Sequence, residues 1–214
     1  GRIGARMSSP PPSRFEWIDL LRGLAVVGMI WTHAANTFLA TGEQATAFFR
    51  ELNYYHGLVA PTFFWLAGYM RGVSSVRPGT PKPAWPTVKR LLVIWLWGYL
   101  LHVPWWQLAQ GDFSPPVLRI LFQSDVLHCL AVSCLLLLAV ERGFYGRLVR
   151  PWIVAVVLGA AAVLFTDCMA TATTGLMPLD AYLATAHGSL FPLFPWIGFA
   201  CAGFISGSHG LPGW

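Results

Sequence analysis

The chain has 214 residues, of which 56% are hydrophobic and 11% charged, and its mean hydropathy is +0.56. Soluble domains usually carry about 25% charged residues, so this composition excludes a disordered chain and an ordinary soluble enzyme. The net charge of +5 comes from 14 scattered lysines and arginines, which do not form the basic patch that a nucleic acid partner requires. With 11 Trp and 14 Phe, the composition predicts an integral membrane protein that has the lipid bilayer as its surroundings.

Apolar segments of roughly 20 residues, the length that crosses about 30 Å of hydrocarbon, follow one another along the chain. There are six, over residues 17–39, 55–73, 85–106, 117–140, 151–169 and 186–207. We therefore predict an all-α polytopic membrane helix bundle of about six transmembrane helices. Residues 15–207 form its domain, which we expect to be incomplete at the C-terminal end. Residues 1–14 are predicted to be a disordered cytoplasmic segment, with Met7 as a possible true start, and residues 208–214 a tail.

The positive charges are distributed unevenly about these segments. Only Arg50 and Arg119 fall in the odd-numbered connections, and Arg22 lies inside the first segment. The other eleven precede the first segment or lie about the even-numbered connections: Arg2, Arg6, Arg14, Arg71, Arg77, Lys82, Lys89, Arg90, Arg142, Arg147 and Arg150. Because cytoplasmic loops carry the excess of Lys and Arg, both termini are predicted to be cytoplasmic. We expect a multi-pass protein of a bacterial inner (plasma) membrane.

Ionisable side chains within the first segment are the strongest functional signal, because such groups are costly in a bilayer. Asp19 and Arg22 are i,i+3 neighbours on a helix. His33 lies eleven residues after Arg22, which returns it to within about 20° of the same helical face. This pattern predicts a buried ion pair near the cytoplasmic end of the helix and an imidazole toward its outer end.

More histidines fall toward the outer side in this orientation. They are His56 at the start of the second segment, His102 near the end of the third, His128 in the fourth and His187 at the start of the sixth. Asp125 precedes His128 by three residues inside the same predicted helix. Together these groups predict an acid–base site that opens outward. The histidines lack the local spacing of a zinc site, so we expect no metal.

Several of these motifs resemble those of one enzyme family. Residues 15–33, F-E-W-I-D-L-L-R-G-L-A-V-V-G-M-I-W-T-H, are similar to the opening helix of transmembrane acyltransferases. Arginine, ten intervening residues and histidine are typical of the acyltransferase-3 family. The preceding aspartate and the later segments A-P-T-F-F-W-L-A-G-Y-M, D-V-L-H-C-L-A and F-P-W-I-G-F-A-C-A-G resemble the heparan-α-glucosaminide N-acetyltransferase-like family more closely, in order over residues 15–207.

The resemblance implies an enzyme that moves an acyl group, typically acetyl from cytoplasmic acetyl-CoA, to a sugar hydroxyl or amine at the outer face. His33, with His128 or His56, would accept the acceptor's proton or carry the acyl group, and Arg22, paired with Asp19, would hold donor oxygens. The candidate catalytic residues are therefore His33, His128, Asp125 and His56, and the candidate donor-binding residues are Arg22 and Asp19.

Two other functions are compatible with the same polar groups. A proton-coupled transporter or exporter would use the first-helix pair, Asp125 and the histidines as a proton relay. A structural subunit would use them only to hold helices together. The sequence does not determine the acceptor, and it leaves open whether the chain forms a homo-oligomer.

Overall fold

The computed structural model describes residues 16–77, 83–183, 185 and 189–210, and within those ranges it is all-helical, with no β-strand. The all-α prediction is confirmed for this part of the chain. The helices in chain order are α1 (Glu16–Phe38), α2 (Thr41–Gln44), α3 (Ala47–His56), α4 (Val59–Val76), α5 (Trp85–His102), α6 (Trp105–Ala109), α7 (Pro115–Phe122), α8 (Val126–Gly143), α9 (Pro151–Leu164), α10 (Thr166–Ala170), α11 (Met177–Leu183) and α12 (Leu193–His209).

The centre of the bundle is the contact between α4 and α12. Each helix carries two glycines four residues apart, Gly68 and Gly72 on α4 and Gly203 and Gly207 on α12. A Cβ atom at any of these positions would collide with backbone atoms of the opposite helix. Small residues at this spacing let two helix backbones approach closely, which is a common way to pack helices in membranes. The fully buried residues Phe64 and Phe204 extend this core toward α8 and α9.

The six longest helices alternate in direction. Contacts between Gly68 and Ala200 and between Gly72 and Phe204 show that α4 and α12 run parallel. His102 near Asp125 makes α5 antiparallel to α8, since the end of one helix meets the start of the other. The other antiparallel contacts are Ile18 with Tyr69 between α1 and α4, and Trp152 with His209 between α9 and α12. Successive membrane spans would alternate in this way. The side of the membrane on which each end lies stays a prediction.

A buried ion pair joins α4 to α8. Arg71 donates a hydrogen bond to the carboxylate of Glu141, and their side chains are only 16% and 6% exposed. The sequence analysis placed Arg71 at the end of the second segment, residues 55–73, and counted it only among the positive charges about the following connection, whereas α4 continues to Val76. The apolar pattern fades before the helix ends, and the pair with Glu141 is formed by residues 70 positions apart.

Several predicted segments are broken where the chain turns. The fourth, predicted as one span, consists of α7 and α8 separated by residues 123–125. The third ends at His102, after which Pro104 precedes the short helix α6. The second starts only at Val59, because His56 is the last residue of α3 rather than the first of a spanning helix. Apolar composition does not distinguish one long helix from two helices with a turn between them.

By length and composition, two helices of the described ranges can cross a membrane, Glu16–Phe38 and Val126–Gly143. They differ in packing, since 11% of the apolar window of α1 is buried and 44% of that of α8. Beyond its contact with α4 at Ile18, α1 exposes most of its large apolar side chains, including Leu24, Val27 and Ile30.

Candidate active site

The start of α8 is fixed by a reciprocal pair of hydrogen bonds between Asp125 and His128. Asp125 is the N-cap, with an extended backbone (φ −106°, ψ 173°), and its Oδ1 accepts from the N–H of Val126 at 2.6 Å. Its carboxylate also accepts from the backbone of His128, while Nδ1 of His128 accepts from the backbone N–H of Asp125 at 3.2 Å. This arrangement is a capping box, which satisfies backbone donors that a helix start leaves unpaired. The sequence analysis predicted that Asp125 lies inside a helix, and this was wrong because Asp125 caps the start of α8.

The capping box determines how the imidazole of His128 is protonated. A ring nitrogen that accepts a hydrogen bond carries no proton, so the ring is neutral and Nε2 carries the hydrogen. His128 is fully buried, and its Nε2 has no hydrogen-bond partner among the described residues. A buried donor without a partner is costly, and such groups occur at functional sites. In this geometry His128 offers a hydrogen-bond donor and not a proton acceptor.

Aromatic side chains from two other helices enclose the ring of His128. The ring centroid of Tyr99 lies 4.1 Å from that of His128, and those of Trp95 and Tyr182 each lie 6.1 Å away. The indole N–H of Trp95 donates to the hydroxyl of Tyr182 at 2.7 Å, and the hydroxyls of Tyr182 and Tyr99 are 3.1 Å apart. Gly98 completes the enclosure, because a Cβ there would lie 2.6–2.9 Å from three atoms of the imidazole.

A pocket of about 520 Å³ opens on the other side of these aromatic rings. Its lining is almost entirely apolar, and the residues are Trp95, Tyr99, Leu121, Phe122, Pro178, Leu179 and Tyr182. Trp95, Tyr99 and Tyr182 line the pocket and also lie around the ring of His128, which does not itself line the pocket. The volume of the pocket lies within the range of small-molecule sites, although the pocket is shallow and open to the outside.

His102, at the end of α5, is a second imidazole at this site. Its Nδ1 lies 3.1 Å from the carbonyl oxygen of Gly98 and 3.8 Å from Oδ2 of Asp125. Both neighbours are acceptors, so the geometry assigns a proton to Nδ1. The side chain is 30% exposed. His102 is thus a partly exposed imidazole beside a carboxylate, the pair of groups from which general bases are commonly built.

The sequence analysis did not include His102 among the candidate catalytic residues. It noted the histidine only as one of several near the outer end of a segment. The sequence does contain a signal for the other half of the site: the D-x-x-H spacing of Asp125 and His128 matches a capping box and indicates a helix start. No sequence signal joins α5 to this position, because the contact depends on antiparallel packing of α5 and α8.

The first-helix candidates lie apart from these groups. Arg22 and Asp19 form the predicted ion pair, at 3.7 Å, but their side chains are 47% and 57% exposed, so the expected burial of Arg22 was wrong. His33 is also exposed, and its ring makes no hydrogen bond or ion pair within the described ranges. His56 ends α3, and His187 lies outside the described residues. The structure thus brings together Asp125 and His128, and adds His102, without His33 or Arg22.

The fold and the site define a largely apolar helical bundle in which two histidines and an aspartate lie near an apolar pocket. A sequence model of the family described as "Heparan-alpha-glucosaminide N-acetyltransferase, catalytic" matches residues 14–213, so the chain belongs to that family. The resemblance found in the sequence is thereby confirmed. The chain is accordingly a transferase of an acetyltransferase family, and proteins of this family are membrane proteins. No curated protein and no solved structure matches the chain significantly.

The described residues contain no group of three or more His, Cys, Asp or Glu side chains that could hold a metal ion. The side chains of the site provide one proton acceptor, Nε2 of His102, and one buried donor, Nε2–H of His128, which are held relative to each other by Asp125.

Proposed function

We propose that the protein transfers an acyl group, most simply acetyl, from an acyl-CoA to a hydroxyl or amine of a sugar or glycan. Membership of the family supports acetyl transfer. The identification of acyl-CoA as the donor and of a sugar or glycan as the acceptor is our proposal. The observation that carries it is that Asp125 is hydrogen-bonded to Nδ1 of His128 and lies 3.8 Å from Nδ1 of His102, so that the first contact makes Nδ1 an acceptor and the second makes it a donor. Acyl transfer requires both a base and a donor to the carbonyl oxygen.

In the proposed reaction, Nε2 of His102 accepts the proton of the acceptor's hydroxyl or amine as that oxygen or nitrogen attacks the thioester carbon. Asp125 stabilises the imidazolium that forms, because its Oδ2 lies 3.8 Å from the protonated Nδ1. The new C–O or C–N bond replaces the C–S bond, and the CoA thiolate leaves with the proton that His102 returns. No step requires an oxidant, a reductant or a metal ion.

His128 would act as the donor to the negative charge that develops on the carbonyl oxygen. A neutral imidazole can serve in this way, and a preorganised donor of this kind contributes about 2.7–4 kcal/mol to transition-state stabilisation. Because the rings of Trp95, Tyr99 and Tyr182 cover His128, the proposal requires that one of them moves when substrate enters the pocket. Tyr182 is the natural candidate, since it lies on the short helix α11 (Met177–Leu183).

The test is acetyl transfer from acetyl-CoA to a set of amino sugars and sugar alcohols by the full chain reconstituted in lipid vesicles. We expect H102A to reduce kcat by about 10²–10⁴-fold. Added imidazole should restore part of the rate in H102A, which a purely structural loss would not allow. An unchanged kcat in H102A would overturn the role of His102.

The same assay tests the first helix. His33 and Arg22 remain candidates from the sequence, His33 as the base and Arg22 as a ligand of the donor. If H33A loses activity that imidazole restores while H102A stays active, the base is His33. Substrate flux that responds to a pH gradient and needs no acyl donor would instead establish the transporter alternative.

A further inference from the structure

A second pocket, of about 470 Å³, lies at the end of the bundle opposite His128. It is formed where α4 ends, where the connection from α8 to α9 turns, and where α12 ends. Three arginines from two different segments line it, Arg77 after α4 and Arg147 and Arg150 before α9. The remaining lining residues include the hydroxyl-bearing Ser75 and Ser208 and the aromatic residues Phe144, Tyr145 and Trp152.

The electrostatics of this pocket are one-sided. All of the nine Asp and Glu residues of the chain lie within the described ranges, and none of them lines the pocket. The carboxylates that form salt bridges pair with Arg22, Arg71 and His102 instead. Pro151 and Trp152 place the N-terminus of the 14-residue helix α9 at the same pocket, and a helix N-terminus adds partial positive charge.

A positive-inside bias accounts for arginines in a cytoplasmic loop, but it does not require them to converge on one concave site. Here arginines from two segments line one pocket together with two serines and three aromatic residues. Arginine forks bind phosphate oxygens in two-point contacts, and aromatic rings provide a flat apolar surface for a base or an acyl chain. Arg147 itself packs over the ring of Phe144, with 5.8 Å from the guanidinium carbon to the ring centroid.

We propose that this pocket binds the phosphate groups of a small ligand. Two sources have this chemistry at this place: the phosphorylated nucleotide end of the acyl donor, and the headgroup of an anionic lipid. The first source rests on the proposed function. His128 and Phe144 are 16 positions apart along α8 and its C-cap, about 24 Å at 1.5 Å per residue. A donor held here by its phosphates would have to extend along the bundle toward the other end.

The experiment compares the full chain in nanodiscs with the triple variant R77Q/R147Q/R150Q. The control is R50Q/R119Q, which removes exposed arginines at the other end of the bundle. The probes are CoA, dephospho-CoA and inorganic phosphate as competitor, measured by titration at two salt concentrations. For the nucleotide source we expect CoA affinity to fall at least tenfold in the triple variant, to change little in the control, and to fall with salt in the wild type.

The lipid source is measured in parallel, as retention of phosphatidylglycerol by protein purified from mixed vesicles. If the triple variant loses phosphatidylglycerol but binds CoA as before, the phosphate site stands and its ligand is the lipid headgroup. If neither CoA affinity nor lipid retention changes, the proposal is wrong. If the triple variant fails to fold, the single variants R77Q, R147Q and R150Q are titrated with CoA and dephospho-CoA instead, and unchanged affinities in all three would overturn the nucleotide source.

Failure of this inference is distinguishable from failure of the proposed function. If the triple variant binds CoA weakly and the wild type transfers no acyl group to any acceptor, the phosphate site stands and the acyl-transfer proposal falls. If acyl transfer proceeds with the same KM for acyl-CoA in the triple variant, and lipid retention is unchanged, the phosphate site falls and acyl transfer stands.

Discussion

Nδ1 of His128 accepts a hydrogen bond from the backbone N–H of Asp125 at 3.2 Å, and this contact determines both the start of α8 and the tautomer of the buried imidazole. The same aspartate faces His102 on α5. One residue thus has a structural role as a helix cap and a chemical role as the partner of a base, and the two roles can be separated by substitution.

Asp125→Asn should separate them. Asparagine caps a helix about as well as aspartate, whereas alanine loses about 1 kcal/mol of helix stability. We therefore expect D125N to unfold at nearly the wild-type temperature but to transfer acyl groups at least tenfold more slowly, because the imidazolium of His102 loses its carboxylate. Thermal unfolding and acyl-transfer rates, with D125A for comparison, check this. A fully active D125N would mean that Asp125 acts only as a cap.

Gly98→Ala should displace the imidazole of His128, since the added Cβ would lie 2.6–2.9 Å from three ring atoms. We expect a loss of about 1–3 kcal/mol in unfolding free energy, the usual cost of overpacking, together with lower activity. Gly143→Ala on α8 is the matched control, because no atom lies within 4 Å of a Cβ at that position. Equal behaviour of the two variants in thermal unfolding and activity would show that the enclosure of His128 tolerates the extra methyl group.

Gly203→Ala should separate α12 from α4, because the new Cβ would collide with the backbone carbonyl of Trp65. Backbone cannot yield as a flexible side chain does, so we expect a larger loss of stability than for Gly98→Ala and a lower yield of folded protein. Gly198→Ala on the same helix is the control, since its Cβ would make only ordinary contacts of 3.8–3.9 Å. Thermal unfolding in detergent compares them, and matching melting temperatures would contradict the close packing of the two helices.

Glu141→Gln should destabilise the bundle by about 3–5 kcal/mol, because it leaves the guanidinium of Arg71 buried without its carboxylate. The double variant R71M/E141L removes both charges and should recover most of the stability, since apolar residues often replace a buried ion pair without loss. Chemical unfolding of the wild type, R71M, E141L and R71M/E141L gives the coupling energy, and E141Q is unfolded alongside them. A double variant as unstable as E141Q would show that the pair itself, and not the unpaired charge, determines stability.

The sequence predicted the bundle well and its junctions poorly. Apolar length predicted helices at all six segments, but the turns at Gln123 and Pro104 divide two of them. A few polar residues decide these breaks. At Asp125 the side chain caps the next helix, so the chain turns in a stretch that composition alone assigns to one span.

The candidate site was predicted in part. The D-V-L-H motif supplied Asp125 and His128 correctly as neighbours, because their spacing is local. His102 joins them through packing of α5 against α8, and helical periodicity defines which face of each helix is apolar but not which two faces meet. Periodicity likewise placed His33 on one face of α1 with Arg22, but it did not show which helix that face meets. In the structure the buried end of α1 contacts α4.

The sequence by itself thus determined the helical class, the family and the uneven distribution of charge, because these depend on composition and on short motifs. Only the tertiary structure decided that His102 joins Asp125, that Arg71 pairs with Glu141, and that Arg77 lines one pocket with Arg147 and Arg150. Each of these contacts joins residues from different helices or connections. Their proximity follows from how whole helices pack, and no local pattern along the chain encodes it.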